Sequence, residues 1–143
     1  MREIKFRGKR LDNGKWVYGD LMRNVCGTRI VQYKESKTAT GYRSDWKYID
    51  VDDNTIGQFT GVYDKNGTPI YDGDLVDVWN QGQHLHKGII KYSESTCSFF
   101  IGNEPPSVCW NLSGDYRNGN KDDCLVVGNI HDKYKLIDHA DTE

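Results

Sequence analysis

Short runs of alternating apolar and polar residues, rich in β-branched and aromatic side chains, recur along this chain between glycine- and asparagine-containing turns. Runs of this length and composition are typical of β-strands. They occupy residues 4–11, 16–21, 28–33, 45–51, 75–79, 85–92, 98–101 and 125–130. Only residues 130–137 keep a helical period, and only for a turn or two. The pattern therefore predicts a nearly all-β protein.

The first predicted hairpin turns at Asn13-Gly14. This dipeptide favours a two-residue turn, because both turn positions need positive φ. Gly8 would then lie opposite Gly19, where another backbone or a large aromatic side chain can approach closely. The same turn sets the register of the strands, pairing Leu11 with Trp16, Lys9 with Tyr18, Arg7 with Asp20 and Phe6 with Leu21.

A second Asn-Gly dipeptide, residues 66–67, predicts another turn, from which the chain returns through residues 68–71. Since proline has no N–H to donate, Pro69 places this return strand at a sheet edge or breaks it. The polar segments 34–43 and 102–123 are predicted as a loop and a long connection. The spacing of the remaining short strands favours a small barrel, which removes most exposed edges.

Charge is balanced overall but uneven along the chain. The 143 residues carry a net charge of −2, which creates no strong field toward nucleic acid or a membrane. Residues 1–71 carry 13 Lys and Arg against 9 Asp and Glu, a net +4, and residues 72–143 carry 6 against 12, a net −6. The two halves are either solvated faces of one domain or complementary surfaces of a head-to-tail oligomer.

The chain contains no apolar run near the roughly 20 residues of a membrane span, and its first residues lack the apolar core of a signal peptide. We therefore expect a soluble cytoplasmic protein with no membrane partner. The four cysteines, at positions 26, 97, 109 and 124, form no Cys-x-x-Cys pair. Free, mostly buried thiols are the expectation for a reducing compartment.

Candidate catalytic and metal-binding patterns are sparse. His84 and His86 are two positions apart on a predicted strand, which puts both imidazoles on one face, but no third ligand lies nearby in sequence. Asp72-Gly73-Asp74 is better explained as a turn than as a carboxylate pair. We therefore predict no metal, no cofactor and no enzymatic activity, and a small metal-dependent hydrolase is the remote alternative.

A basic and aromatic cluster in the first hairpin is the strongest candidate surface. Cations beside aromatic rings are typical of proteins on which single-stranded nucleic acid stacks. The predicted register uses part of this charge internally, so a structural hairpin or a subunit contact is the competing interpretation. The residues are Arg7, Lys9, Arg10, Trp16 and Tyr18.

Five segments together resemble the YopX-like proteins, which are encoded by phages and prophages. They are residues 4–10, 13–19, 55–61, 64–76 and 126–130, in the order of the family's motifs. The chain departs from the family after Gly128-Asn129-Ile130, where it has His131-Asp132-Lys133-Tyr134. The resemblance implies a mostly β fold with an SH3-like second half, and homo-oligomers. It implies no established activity.

From the pattern and the resemblance together we predict an N-terminal β subdomain over residues 1–61, an SH3-like barrel over 62–137 and a tail over 138–143. We predict a phage or prophage accessory protein that serves as a non-enzymatic binding or assembly module. A homo-oligomer is the favoured assembly, a phage or host protein is the next partner considered, and nucleic acid is the alternative.

Overall fold

Strands make up nearly all of the regular structure. The computed structural model describes residues 2–102, 110–112 and 123–132. The strands are β1 Phe6–Lys9, β2 Trp16–Asn24, β3 Gly27–Thr38, β4 Gly41–Asp50, β5 Gly57–Tyr63, β6 Pro69–Tyr71, β7 Asp74–Asn80, β8 Gln83–Ser93, β9 Ser98–Gly102, β10 Trp110–Asn111 and β11 Asp123–Asn129. A 3-10 turn, Asp53–Thr55, separates β4 from β5. The all-β prediction is confirmed. Helical geometry begins at residue 130, and the rest of the predicted 130–137 turn lies outside the described residues.

Two compact units divide the chain, Met1–Gln58 and Phe59–Glu143, whereas the predicted boundary lies at residue 61. In the first unit the strand order is β4-β3-β2-β1-β5, and every pairing is antiparallel. Gly57 and Gln58 of β5 pair with β1, and the remainder of β5 pairs with β6 in the second unit.

The first hairpin exists, but its predicted register is wrong by two residues. Arg7 pairs with Tyr18 and Lys9 with Trp16, so Arg7 does not lie opposite Asp20. The loop is longer than a two-residue turn: the Arg10 N–H bonds the Lys15 carbonyl and the Gly14 N–H bonds the Arg10 carbonyl, each at 2.9 Å. A shift of two leaves every side chain on its predicted face of the sheet.

Two glycines of this hairpin allow close packing, as predicted, although they do not lie opposite each other. Gly8 pairs with Val17, and a Cβ at Gly8 would lie 2.9 Å from Ile56 Cδ1. A Cβ at Gly19 would meet the backbone carbonyl oxygen of Val31. The face they share with Val17 is the core of the unit, which also buries Ile30 and Val51.

Residues 34–43, predicted as a loop, form a regular hairpin instead. β3 and β4 pair without a register shift from Arg29 opposite Asp50 to Thr38 opposite Gly41. The polar composition of this segment misled the prediction, because a two-stranded ribbon exposed on both faces has no need of an apolar alternation.

The second unit contains an antiparallel sheet in the order β10-β9-β8-β7-β11. Among the described residues no pairing joins its outer strands, so the predicted SH3-like barrel is not confirmed. Its core buries Ile70, Val76, Ile90 and Ile101, together with Cys124. The 102–123 connection lies mostly outside the described residues, but part of it forms β10.

Predictions of two turns and one edge strand in the second unit are confirmed. Gly67 and Gly73 have φ of 83° and 92°, which only glycine adopts readily. The Asp74 carboxylate caps its turn by accepting the Tyr71 N–H at 2.8 Å. β6, which contains Pro69, pairs with β5 alone among the described strands, as an edge strand would.

Candidate interaction surface

The register of the first hairpin brings four of the five predicted site residues onto one face. Arg7 pairs with Tyr18, and Lys9 pairs with Trp16 two positions further along the same two strands. Alternate residues of a strand share a face, so all four side chains lie opposite the core formed by Val17 and Ile30. Arg10 lies outside this cluster.

Cations in the cluster are stacked on aromatic rings. The Arg7 guanidinium carbon lies 4.5 Å from the centroid of the Trp16 ring, and the Lys9 Nζ lies 5.3 Å from it. Lys5 Nζ lies 5.6 Å from the centroid of the Tyr18 ring. These are cation–π distances, and desolvated pairs of this kind stabilise a fold more than exposed ones.

The cations of the cluster and Tyr18 differ in how far they are exposed to solvent. Arg7 and Lys9 are 6% and 8% exposed, whereas Tyr18 is 41% exposed. Arg10 binds the Asp12 carboxylate through Nε at 2.9 Å and Nη2 at 2.8 Å. The hydrogen bond from Arg10 is the main cause that lowers the pKa of Asp12. The cations of this hairpin are therefore used mainly within the fold.

A change of strand partner occurs beside this cluster. β2 pairs with β1 through Trp16–Gly19 and with β3 from Asp20 onward. Where the strands separate, the Gln32 side chain donates to the Tyr18 carbonyl at 2.9 Å. Beyond that bond, residues 32–38 of β3 and residues 41–47 of β4 pair with each other and with no other described strand. We call residues 32–47 the arm.

The arm and its base extend the hairpin face that carries Trp16 and Tyr18, which we call the aromatic face. Tyr33 lies opposite Trp46 with ring centroids 4.6 Å apart, and Tyr48 follows at the base, opposite Val31. The Tyr33 hydroxyl donates to Glu35 at 2.9 Å and lies 3.1 Å from the Ser44 hydroxyl. The aromatic side chains of this part are largely exposed: Tyr33 46%, Tyr42 72%, Trp46 55% and Tyr48 56%.

Sequence reasoning missed these four aromatic residues. The segment that carries Tyr42 was predicted as a loop, and Tyr33, Trp46 and Tyr48 were counted as strand residues without an assigned face. Their alternation, with Trp46 and Tyr48 two positions apart on one strand, is the signal that could have found them.

A groove of about 810 Å³ lies where β2 and β3 separate. Its aromatic lining comes from Tyr18, Tyr33 and Trp46. Its charged lining is balanced, because Lys34 and Lys47 are offset by Asp20 and Asp45. The groove therefore favours ring stacking over selection of an anion or a cation.

A comparison with family models gives a match over residues 5–138 to the family described as YopX protein. The chain belongs to the YopX protein family. The match confirms the resemblance, while the phage or prophage origin stays a prediction. A comparison with curated proteins finds no match.

The crystal structure of protein EF1440 from Enterococcus faecalis is similar to this member of the family. The TM-score is 0.60 at 21% sequence identity, covering 96% of this chain and 99% of that chain. At this identity the likeness shows a shared fold.

The two histidines considered as metal ligands are separated by a bulge. Trp79 pairs with His84 and Val78 with His86, so Leu85 is the extra residue that breaks the alternation. His84 is exposed and lies 3.2 Å from the Asp77 carboxylate, whereas His86 is buried. Burial, with a smaller effect of His84, lowers the pKa of His86. In the part of the chain with described coordinates, no three His, Cys, Asp or Glu residues gather into a metal-binding group.

The thiols differ in environment. Cys26 and Cys97 are exposed, contrary to the expectation of mostly buried cysteines, while Cys124 is buried in the second core. Burial, followed by the charges of Asp64, Asp74 and Asp77, raises the pKa of Cys124 to about 12. This thiol is therefore protonated at neutral pH and packs as an apolar side chain. Cys109 lies outside the described residues.

Asp64 has a structural role in the same unit. One carboxylate oxygen accepts the N–H groups of Asn66 and Thr68 at 2.9 and 2.8 Å, and the other accepts the Val126 N–H at 3.0 Å. The carboxylate thus fixes the Asn-Gly turn and joins it to β11.

Across the described residues, no helix is long and apolar enough to cross a bilayer.

Proposed function

We propose that the protein is a non-enzymatic binding and assembly module that self-associates through the arm. The observation that carries this proposal is the exposure of Tyr33, Tyr42 and Trp46 on a ribbon that no third described strand supports. Contiguous exposed aromatic surface is typical of interaction sites, because covering it removes apolar area from water.

The shape of the arm supports the same proposal. A two-stranded ribbon is only marginally stable alone in water, since its two edges and both faces stay solvated. Pairing or packing against a partner supplies the third layer that the chain itself does not provide among its described residues. Tyrosine and tryptophan are also enriched at protein interfaces.

Light scattering coupled to size-exclusion chromatography tests the proposal over a hundredfold range of protein concentration. We expect the mass to rise above that of one chain, and Tyr33→Ser to lower it at equal concentration. The matched control is Tyr92→Ser in the second unit, where the tyrosine is 48% exposed, against 46% for Tyr33. A mass of one chain at every concentration would contradict the proposal.

A second candidate is binding of single-stranded nucleic acid on the same aromatic face. It is favoured by Lys5, Arg7 and Lys9, which lie over the rings of Tyr18 and Trp16. Burial of Arg7 and Lys9 leaves little of this charge for phosphates, so we rank it second. Anisotropy of labelled oligonucleotides should then stay flat at 50 mM salt, whereas a salt-sensitive rise would favour nucleic acid.

A further inference from the structure

The outer edge of β4, on the side away from β3, is open along the arm. In an antiparallel strand the N–H and C=O of one residue point to the same side, and successive residues alternate. The Val51 N–H bonds the Thr28 carbonyl on the β3 side at 3.2 Å, and the Asp50 carbonyl accepts the Leu11 N–H on the other side at 3.1 Å. Even-numbered residues of β4 therefore direct their backbone groups outward.

The outer edge of β4 is accessible to a partner strand only along the residues before Asp50. Within the described ranges β4 is the end strand of its sheet, and the residues whose backbone points outward are exposed. From Asp50 onward the edge is already covered by the first hairpin, through Leu11 and the bridge of Arg10 to Val51. The residues of β4 whose backbone groups point outward and remain uncovered are Tyr42, Ser44, Trp46 and Tyr48.

Charge and a backbone carbonyl that is already bonded decide which antiparallel, two-fold pairing this edge can make with a second copy. A pairing centred on Asp45 opposes Asp45 to itself and Arg43 to Lys47, which is unfavourable. A pairing centred on Trp46 opposes Tyr42 to Asp50, whose carbonyl is already bonded. A pairing centred on Ser44 meets neither obstacle.

Resting on the proposed self-association, we propose that the β4 edges of two copies pair antiparallel about a two-fold axis at Ser44. Arg43 of each copy then opposes Asp45 of the other in a non-hydrogen-bonded pair, where side chains approach most closely. Tyr42 opposes Trp46 on the aromatic face. The pairs at residues 42, 44 and 46 exchange about six backbone hydrogen bonds.

Charge reversal tests this register in the full chain. Arg43→Asp and Asp45→Arg each place like charges opposite one another twice, and we expect each to raise the dimer dissociation constant by about tenfold or more. An equimolar mixture of the two variants restores the opposed charges in a heterodimer, and the double variant Arg43→Asp/Asp45→Arg restores them in a homodimer. Both should associate like the unchanged chain.

The matched control is Lys47→Asp, which makes the same charge change on the same strand and face. In the Ser44-centred pairing Lys47 opposes Gly41, so this variant should keep the dissociation constant of the unchanged chain. Recovery on mixing separates an interface effect from loss of the intrachain Arg43–Asp45 ion pair at 3.2 Å, which mixing cannot restore.

Analytical ultracentrifugation of each variant and of the mixture distinguishes the outcomes. Single variants that associate as strongly as the unchanged chain would overturn the β4 pairing while leaving self-association intact. Loss of association in Lys47→Asp but not in Arg43→Asp would replace the Ser44 register with one centred on Trp46. A mixture that stays monomeric overturns the pairing as well. An unchanged chain that never associates defeats the proposed function itself.

Discussion

Two aromatic ribbons of the first unit differ in what supports them. In the β1–β2 hairpin, Trp16 lies under two cations, and Arg7 and Lys9 are buried. In the arm, Trp46 contacts Tyr33 and remains more than half exposed. Both ribbons carry similar side chains. The neighbouring strands of the sheet, present for the hairpin and absent among described residues for the arm, decide whether such side chains stabilise the fold or remain available to a partner.

The largest effect should come from the core beneath the hairpin. Ile30 is fully buried, and Ile30→Ala should lower the free energy of unfolding by about 2–5 kcal/mol, because it leaves a cavity. Urea unfolding followed by tryptophan fluorescence measures this. A loss no larger than that of an arm substitution would show that the first unit is not supported by this core.

Next comes the junction where β2 changes partner. Gly19→Ala introduces a Cβ against the Val31 carbonyl oxygen and 3.1 Å from Ile30 Cγ2. We expect a loss of about 1–3 kcal/mol, since β3 must move away from β2. Gly27→Ala offers a poor control because its φ is 127°. Thr38→Ala, at the far end of β3, is the better comparison and should cost less in the same unfolding experiment.

Arg7→Ala should have a smaller effect. It removes the cation from Trp16 and the packed aliphatic stem, with an expected loss of about 1–2 kcal/mol in thermal or urea unfolding. Arg7→Lys should recover part of it, because the cation remains but the planar group is lost. Unchanged stability in Arg7→Ala would remove the distinction between the hairpin and the arm.

In the arm, Trp46→Ala should change stability by less than about 1 kcal/mol, since it removes one ring contact at an exposed site. The same variant should associate more weakly than the unchanged chain at equal concentration, measured by light scattering. A large loss of stability with unchanged association would place Trp46 among the structural residues.

The smallest expected effect on stability concerns Asp53, in the 3-10 turn between β4 and β5. Its pKa lies below the usual 3.8, chiefly because Thr28 donates a hydrogen bond to it, with the charge of Arg23 adding to the shift. A lowered carboxyl pKa contributes stability above about pH 3.8 that is lost as the pH falls through the folded value. In an NMR titration, Thr28→Val should raise the pKa of Asp53, and Thr60→Val should not.

Much of this fold follows from local signals. Asn66-Gly67 predicts its turn because the backbone there needs φ of 83° at Gly67, and Pro69 predicts an edge strand because it has no N–H. The hairpin at Asn13-Gly14 was predicted with the correct faces and the wrong partners. In the observed loop the Arg10 N–H bonds the Lys15 carbonyl, whereas the dipeptide predicts that Asp12 pairs with Lys15.

The candidate surface, like the fold, could be predicted only in part. The composition of the first hairpin predicted a cluster of five residues, and the two-residue strand period, a local property, places four of them, Arg7, Lys9, Trp16 and Tyr18, on one face. Their burial was not predictable, since it depends on what the rest of the chain places around them. Tyr42 was missed because residues 34–43 carry no apolar face to indicate a strand, whereas Tyr33 and Trp46 lie in predicted strands whose exposed face was not assigned.

The sequence by itself determined the all-β class, the principal turns and the face on which each hairpin side chain lies, since these depend on φ requirements and a two-residue period. Tertiary structure alone decided the order of the strands in the two sheets and which aromatic rings reach solvent. Those features depend on hydrogen bonds and packing between distant segments, where the contacts made by one strand leave the edge of another open.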